Sequence, residues 1–394
     1  MSTLRRLGIV PVFLAALQAS TALAGDQVVV NSQRSTALSA DTRGLRAYQN
    51  PLAPPSTAKV RAEPAPTTLG MGAVTGSGEQ VAATRAFGTF GIPYTSTRVS
   101  TGGSNSTSSN ANYLATTYPY RAIGRLTFSA GFCSASVIRR GVIVTAAHCI
   151  QRFGSGSSIF SSFQFTPAFY AAGSTAAARA PYGTWNWLAL VRPATWANGT
   201  DVGSGAAREN DLAVIALARN AQGRLIGDVT GYLGYGWNNY SFTSSSKTGN
   251  LSVAAISTLG YPGLIDAGGR MQRTDGPSYL TTVGGAPQIW QGSNFTGGSS
   301  GGPWLVNFKS ADTTLSGGAV VGSQNVMSVV GVTSWGSADP NAPKDNYSSR
   351  FGQNPRYPSA SYGVYGAGNI ASLLNTLCST SVGGQTLAQQ GFCS

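Results

Sequence analysis

The sequence is poor in histidine, charged residues and cysteine, and each shortage narrows the chemistry that the chain can carry. It contains one histidine, His148, which excludes a histidine-rich metal site. A zinc site built from the four cysteines would compete with two disulfides. No ligand run of the EF-hand type occurs, so we predict no cofactor and assign no metal ligands.

Charge is scarce as well, because charged residues make up only 10% of the 394 residues. Lys and Arg nevertheless outnumber Asp and Glu by 26 to 13, which gives a formal net charge of +13. The basic residues are scattered and form no stripe with interleaved aromatic residues. We therefore predict a diffuse positive surface and no nucleic-acid partner.

A long apolar run is also missing beyond the first residues. The chain opens with two arginines and an apolar stretch that ends in Ala22-Leu23-Ala24 before Gly25. This pattern is typical of a secretory signal peptide, and the stretch is too short to span a membrane comfortably. We expect a signal peptide over residues 1–24, no membrane span, and a secreted protein in the extracellular space or the periplasm, where disulfides form.

Four cysteines allow three pairings, and the sequence alone does not choose among them. The short spacing within each pair favours disulfides between Cys133 and Cys149 and between Cys378 and Cys393.

A change in composition near residue 118 divides the remaining chain into an N-terminal extension and a folded domain. Residues 25–117 are rich in Ala, Ser, Thr, Gly and Pro, which predicts a propeptide or loosely ordered extension with a flexible linker at 100–112. Residues 87–94 carry enough apolar surface to dock on the following domain, so we place the propeptide upstream of them. Residues 118–394 form the predicted folded domain.

Short apolar runs separated by Gly, Asn, Ser and Pro turns follow residue 120, with hardly any stretch at helical period. We predict strands at 122–128, 135–138, 141–145, 212–217, 251–259, 288–290, 304–306, 319–321, 329–334 and 363–365, and one helix at 367–377. Many short strands that close with one helix favour an all-β fold of barrels or sandwiches.

Three polar residues stand in settings that suit acyl transfer. His148 follows an apolar strand, Asp211 enters another, and Ser300 lies within the glycine-rich run Gly297-Gly-Ser-Ser-Gly-Gly-Pro303. Glycines beside a serine permit a tight turn that presents the hydroxyl near convergent backbone N–H groups. Each feature alone also has an ordinary explanation as a core histidine, a turn-capping acid or a flexible loop. The order of the three residues along the chain therefore decides between these explanations and a catalytic role.

The ordered motifs resemble the trypsin/chymotrypsin superfamily of serine proteases, in which the chain order is His, Asp, Ser. The resemblance is carried by Cys133-Ser-Ala-Ser-Val-Ile138, Thr145-Ala-Ala-His-Cys149, Asn210-Asp-Leu, Gly298-Ser-Ser-Gly-Gly-Pro303 and Thr333-Ser-Trp-Gly336. Three further stretches resemble the secreted bacterial branch that includes glutamyl endopeptidases, namely Tyr118-Pro-Tyr-Arg-Ala-Ile-Gly124, Ala180-Pro-Tyr-Gly183 and Gly260-Tyr-Pro-Gly263.

The resemblance implies two packed six-stranded antiparallel β-barrels with a C-terminal helix, and a secreted serine endopeptidase that works through an acyl-enzyme. Ser300 would be the nucleophile, His148 the general base and then acid, and Asp211 the carboxylate that orients the imidazole. Backbone N–H groups of Gly298 and Ser300 would form the oxyanion hole.

It also implies a substrate pocket whose floor lies near Asn294. Thr296 and the strand Ser334-Trp335-Gly336 would line this pocket, and Gly363 would form its far wall. Trypsin-like enzymes have an acid at the position of Asn294, and glutamyl endopeptidases use a second histidine that this chain lacks. We therefore predict cleavage after small, polar or apolar side chains, with Glu recognised through Thr and Ser hydroxyls as the open alternative.

The residue before the nucleophile is Ser299, where animal digestive enzymes have an acid that pairs with the newly cut N-terminus. Activation by insertion of that terminus is therefore not predicted. The alternative function is a non-catalytic secreted relative that serves as a binding or adhesion module, although all three catalytic side chains are present. An unrelated esterase fold would need the order Ser, acid, His. We predict a monomer that acts on protein or peptide substrates.

Overall fold

The computed structural model describes residues 27–31, 46–48, 88–90, 92–99, 114–200, 209–244, 250–283, 285–308, 313–314, 320–321, 327–336 and 343–394. The predicted signal peptide at 1–24 and the predicted linker at 100–112 lie outside the described residues. Both remain predictions, as does the domain boundary at residue 118.

Strands dominate the described parts of the chain. They are β1 (Gln27–Asn31), β2 (Thr95–Arg98), β3 (Ile123–Phe128), β4 (Gly131–Arg139), β5 (Val142–Thr145), β6 (Gln164–Pro167), β7 (Trp185–Pro193), β8 (Ala213–Leu217), β9 (Gly234–Tyr235), β10 (Val253–Gly260), β11 (Gln272–Val283), β12 (Ala286–Gly292), β13 (Pro303–Val306), β14 (Thr313–Thr314), β15 (Val320–Val321), β16 (Ser328–Gly336), β17 (Asp345–Arg350), β18 (Ser381–Val382) and β19 (Gln385–Thr386).

The α-helices are short except for the last one. They are α1 (Ala176–Arg179), α2 (Ala194–Asn198), α3 (Ile226–Thr230) and α4 (Gly368–Ser379), and 3-10 turns cover Leu114–Thr116, Tyr120–Ala122, Ala147–Cys149, Asp266–Gly268 and Gly363–Tyr365. Among the residues that the structure describes, no helix is long and apolar enough to cross a membrane.

The first barrel is formed by six antiparallel strands in the order β7-β6-β3-β4-β5-β8. A further pairing between β7 and β8 closes it, and β1 adds to the outside of β7. Strands β3, β5 and β8 are buried along their whole length because both of their faces are covered. This explains why they read as continuous apolar runs rather than as an alternating pattern.

The second barrel follows the same plan with the strand order β10-β13-β16-β17-β12-β11, closed by pairing of β10 with β11. Strand β2 extends it beside β11, although β2 precedes the first barrel in the sequence. The short strand β9 pairs in parallel with β16. The predicted fold of two six-stranded antiparallel barrels is therefore confirmed.

Helix α4 confirms the predicted C-terminal helix and packs against β7 and β8 of the first barrel. Its buried side Ile370, Leu373, Leu374 and Leu377 joins the core. Both predicted disulfides are present, one between Cys133 and Cys149 and one between Cys378 and Cys393. The second bond ties α4 to the last residues, whose Phe392 carbonyl accepts the N–H of Gly141 at 2.7 Å.

The predicted strand at 363–365 is wrong, because these residues form a 3-10 turn. Gly363 has a φ of +61°, a left-handed conformation that a strand does not contain. The apolar pair Val364 and Tyr365 produced the false signal, and Val364 is 81% exposed.

Candidate active site

His148 lies just beyond the end of β5, in the 3-10 turn Ala147–Cys149. The disulfide from Cys149 to Cys133 ties this turn to the neighbouring strand β4. The His148 side chain is fully buried. The local sequence therefore holds the imidazole in one place.

Pairing of β5 with β8 brings Asp211 to His148, because Thr145 lies opposite Ala213. The backbone N–H of His148 donates to Asp211 Oδ1 at 2.9 Å, and His148 Nδ1 lies 2.7 Å from Asp211 Oδ2. Asp211 is fully buried. The carboxylate thus fixes both the backbone and the ring of His148.

Ser334 of β16 provides a further hydrogen bond to this acid. Its hydroxyl donates to Asp211 Oδ2 at 2.7 Å, which links the second barrel to the first at this point. We predicted Ser334 as a pocket-lining residue, but its hydroxyl points to Asp211. A buried carboxylate requires hydrogen-bond donors, and this serine supplies one. The motif Thr333-Ser-Trp-Gly336 indicated a pocket wall and gave no sign of this hydrogen bond.

The orientation of the His148 ring leaves Nε2 able to accept a proton. When Nδ1–H donates to a carboxylate, the neutral imidazole carries its lone pair on Nε2. His148 Nε2 is buried and makes no hydrogen bond to the residues described, so the expected bond to Ser300 is not formed in this structure. Catalytic hydrogen bonds are often longer before substrate binds.

The main chain at Ser300 is nevertheless hydrogen-bonded to β4, which pairs with the strand β5 that leads to His148. The N–H of Ser134 in β4 donates to the Ser300 carbonyl at 2.8 Å, and Thr145 Oγ1 donates to the Ser134 carbonyl at 2.8 Å. Ser134 Oγ also donates to the Gly298 carbonyl at 2.8 Å. The structure thus brings the chain segments of all three predicted catalytic residues together.

Gly298 has the left-handed backbone that its predicted role requires. Its φ is +93°, and a Cβ there would lie 2.6 Å from the Tyr261 carbonyl oxygen. The N–H of Gly298, predicted as an oxyanion donor, donates to the carbonyl of Tyr48 at 2.9 Å. The predicted donor is therefore occupied by a residue from the N-terminal extension, a contact that no motif around Tyr48 indicates.

Asn294, the predicted pocket floor, is half-buried beside strand β2. Its Oδ1 accepts a hydrogen bond from Ser96 Oγ of β2 at 2.9 Å. Asn346 of β17 holds the flanking backbone, since its Nδ2 donates to the carbonyls of Ser293 at 3.0 Å and Phe295 at 3.3 Å. The loop before Ser300 is thus fixed from both sides.

Thr296 and Ser299 complete this loop. Thr296 Oγ1 accepts the backbone N–H of Leu264 at 3.1 Å, so its hydroxyl faces the loop after β10. Ser299 Oγ donates to the Thr296 carbonyl at 2.6 Å. The Ser299 hydroxyl is therefore engaged in a short local hydrogen bond.

Trp335 and Gly336 lie on the strand that faces β17, where they pair with Tyr347 and Asn346. The Trp335 and Tyr347 rings stack with centroids 3.9 Å apart, and Trp335 Nε1 donates to Gln288 Oε1 at 3.0 Å. Burial raises the pKa of Tyr347, so this phenol stays neutral near pH 7. The stacked rings of Trp335 and Tyr347 therefore form an aromatic, uncharged surface here.

Gly363 is not on the far wall of a pocket beside Ser334. It lies in the exposed turn whose Tyr365 carbonyl accepts Tyr235 Oη at 2.9 Å. Tyr235 pairs with Val329, at the opposite end of β16 from Ser334. Strand β17 takes the position beside Ser334-Trp335-Gly336 instead, because it pairs with that part of β16.

One group of possible metal ligands occurs within the described ranges, formed by Cys133, His148 and Cys149. Their ligand atoms lie within 4.8 Å of one another, but both sulfurs belong to one disulfide. Disulfide sulfur is not a thiolate and does not bind zinc in this way. The cluster therefore reflects the disulfide beside His148.

The glutamyl endopeptidase of Bacillus licheniformis is 29% identical to this chain over 202 residues, which cover 51% of this chain and 54% of that protein. The chain therefore spans about half the length of this relative. No protein-family model matches the chain.

Solved structures of three proteases are similar to this chain. A thermostable serine protease AL20 from an extremophilic microorganism has 24% identity and a TM-score of 0.43, covering 59% of this chain and 92% of that one. The protease Anisep from Arthrobacter nicotinovorans has 22% identity and a TM-score of 0.42, covering 59% and 91%. A Glu endopeptidase in complex with MPD has 19% identity and a TM-score of 0.43, covering 65% and 90%.

The strand pairing of the two closed barrels establishes the fold by itself. The two barrels, the ordered motifs and the similarity to the Bacillus protease all point to the same group of proteins. The chain is therefore similar to the trypsin/chymotrypsin-like serine proteases, and within them to the branch that includes glutamyl endopeptidases.

Proposed function

We propose that the chain is a secreted serine endopeptidase that hydrolyses peptide bonds through an acyl-enzyme on Ser300. The observation that carries this proposal is the buried His148–Asp211 pair, with Nδ1 2.7 Å from the carboxylate and the Ser300 main chain bonded to the adjacent strand. His148 Nε2 takes the Ser300 proton as the hydroxyl attacks the carbonyl, and returns it to the leaving amine.

The Asp211 carboxylate supports both proton transfers. It holds the ring in the tautomer that leaves Nε2 unprotonated, and it stabilises the imidazolium that forms during attack. Its hydrogen bonds from the His148 backbone and from Ser334 keep the carboxylate satisfied in a fully buried position. We also propose the N–H groups of Gly298 and Ser300 as the oxyanion hole.

The pocket residues determine which substrate side chain is accepted next to the bond that is cut. Asn294 replaces the acid that would favour Lys or Arg, so trypsin-like specificity is not proposed. We propose a neutral pocket around Asn294 and Thr296 that accepts small, polar or apolar residues. The Bacillus relative is named a glutamyl endopeptidase, which makes Glu the first alternative to include in a peptide-library profile.

The test is the variant Ser300→Ala in the secreted chain. We expect it to keep the unfolding temperature within a few degrees and to lose about a millionfold in turnover, because the nucleophile is gone. A fluorophosphonate probe should label the unaltered chain at Ser300 and leave the variant unlabelled.

Ser299→Ala is the matched control, since it removes the neighbouring hydroxyl and keeps Ser300. It should retain labelling at Ser300. Appreciable peptide hydrolysis by Ser300→Ala would contradict the proposal. An unreactive serine in every form of the chain would favour the non-catalytic binding module instead.

A further inference from the structure

Residues 46–48 of the N-terminal extension run across the candidate active site. The N–H of Phe132 donates to the Arg46 carbonyl at 3.0 Å, and the N–H of Tyr48 donates to the Phe132 carbonyl at 2.9 Å. Ala47 thereby forms a parallel bridge with Phe132 of β4. The next contact is the one from Gly298 N–H to the Tyr48 carbonyl, at 2.9 Å. Three backbone hydrogen bonds thus tie the segment to both barrels.

The segment fits because two glycines make room for Ala47. A Cβ at Gly263 would lie 2.4 Å from the Ala47 Cβ, and a Cβ at Gly298 would lie 3.0 Å from it. The Ala47 methyl therefore occupies the space that side chains at these positions would fill. A larger residue at position 47 has no place there without displacing the segment.

Tyr48 covers the catalytic histidine. Its ring lies 6.0 Å from the His148 ring, centroid to centroid, with the two planes only 22° apart. Edge-on contacts with Phe128 and Phe160 complete its surroundings, at centroid distances of 5.5 and 5.2 Å. Burial raises the pKa of the Tyr48 phenol, and Arg152, which hydrogen-bonds to it, partly offsets this. The side chain of Tyr48 is therefore seated by several neighbours.

A different part of the extension belongs to the second barrel. Strand β2 pairs with β11, and the Thr89 N–H donates to Asp345 Oδ1 at 2.7 Å. Trp290 Nε1 donates to the same oxygen at 2.7 Å. A single cut between residues 48 and 88 would therefore separate the segment over the active site from a segment that the barrel needs.

We propose that residues 46–48 are a built-in inhibitor of the active site: the Tyr48 carbonyl takes the Gly298 N–H that the reaction needs, and the Tyr48 ring covers His148. This inference rests on the proposed function. A donor that is already engaged cannot stabilise the developing oxyanion, and loss of one such donor costs about 100- to 1000-fold in turnover. Because the segment is tethered to the chain, its effective concentration is high, on the order of millimolar.

The test compares the full chain with its variant Ala47→Trp, which the glycine-lined space cannot hold. The measurement is the rate at which a fluorophosphonate labels Ser300, with intact mass confirming that residues 46–48 are still attached. We expect Ala47→Trp to react at least about tenfold faster, which corresponds to roughly 90% occupancy of the blocked state in the unaltered chain. Tyr48→Pro, which lacks the N–H that bonds to Phe132, should act in the same direction.

Arg46→Ala is the matched control, because the Arg46 side chain is exposed and only its backbone carbonyl makes the contact. It should label at the rate of the unaltered chain. Hydrogen exchange gives a second readout that needs no activity. In a Ser300→Ala chain, the amides of Phe132 and Gly298 should be protected, and adding Ala47→Trp should remove that protection.

Equal labelling rates in the unaltered chain and in Ala47→Trp would overturn the inference and leave the proposed hydrolase standing. Unchanged exchange at Phe132 and Gly298 would overturn it as well. If Ser300 reacts in none of the folded chains, including Ala47→Trp and Tyr48→Pro, the proposed function fails and the inference fails with it.

Discussion

Gly301 lies where the loop that carries Ser300, the proposed nucleophile, meets the strand that leads to His148. Its φ is +77°, and a Cβ there would lie 2.1 Å from Thr145 Oγ1, 2.4 Å from the Ser134 carbonyl oxygen and 2.9 Å from the Ala146 nitrogen. Two of these three atoms are backbone, which cannot rotate away. The glycine after Ser300 is therefore required by close packing as much as by its dihedral angle.

Gly301→Ala should destabilise the chain by about 3 kcal/mol or more, because strain at positive φ adds to a steric clash. The matched control is Gly285→Ala, which shares a positive φ of +86° but has no atom within 4 Å of its added Cβ. It should cost only about 1 kcal/mol. Urea unfolding of both variants measures the difference, and equal losses would show that the clash at Gly301 is relieved.

Some residues of the candidate active site can be predicted from the local sequence, and others cannot. His148 and Ser300 were predictable because a strand followed by a small-residue turn, and a serine between glycines, have local signatures. The contact of Ser334 with Asp211 has no local signature, since the two residues meet only when the second barrel packs against the first. Tyr48 was missed for the same reason, because its contacts join residues far apart in the chain.

At the scale of elements, the barrel strands β6, β7, β11 and β17 lie outside the predicted strands, and β17 shows one physical reason. Its run Asp345-Asn-Tyr-Ser-Ser-Arg350 has no apolar core residue other than a tyrosine, yet four of its positions pair with β12 and it also borders β16. Side-chain hydrogen bonds, such as that from Asn346 to the Ser293 carbonyl, satisfy its buried polar groups. Hydrophobic periodicity cannot detect a strand stabilised in this way.

Strand β2 is attached to the second barrel partly by an ion pair that depends on pH. Arg98 of β2 donates to both carboxylate oxygens of Asp266, at 2.8 and 2.9 Å. This pair, with a hydrogen bond from Gln272, lowers the pKa of Asp266 below its ordinary value of 3.8. The stabilisation is therefore present above pH 3.8 and is lost as the pH falls through the lower value in the folded state.

Asp266→Asn should lower the free energy of unfolding at pH 6, and the difference from the unaltered chain should shrink below pH 3.8. The effect is small because the Arg98 side chain is 61% exposed, so solvent screens the pair. Ser96→Ala, which changes β2 without touching a charge, is the control and should give a difference that is independent of pH. A pH-independent difference for Asp266→Asn would contradict this account.

At the scale of the whole molecule, the chain crosses between its two barrels. Strand β2 precedes the first barrel and joins the second, whereas helix α4 follows the second barrel and packs on the first. Ser134 and Ser334 add hydrogen bonds between the barrels at the active site. Short apolar runs predicted an all-β fold of barrels or sandwiches, and the family resemblance implied two barrels, but the crossing depends on long-range pairing that no local pattern contains.

The crossing predicts one cooperative unfolding transition rather than one for each barrel. Replacing Cys378 and Cys393 together by Ala removes a disulfide that closes a short loop, and should lower the free energy of unfolding by about 3 kcal/mol. Calorimetry should then show a single peak at lower temperature. Ser379→Ala, at an exposed hydroxyl on the same helix, should leave that peak almost unmoved. Two separated peaks would show that the barrels unfold independently.

Helix α4 also sets the order of events during synthesis. The first barrel lacks its cover over β7 and β8 until residues 368–379 have left the ribosome, long after its own six strands are complete. A nascent chain halted before that point therefore exposes apolar surface to chaperones and export machinery. If the chain is secreted as proposed, the position of its last helix predicts that it is exported before the first barrel is fully covered.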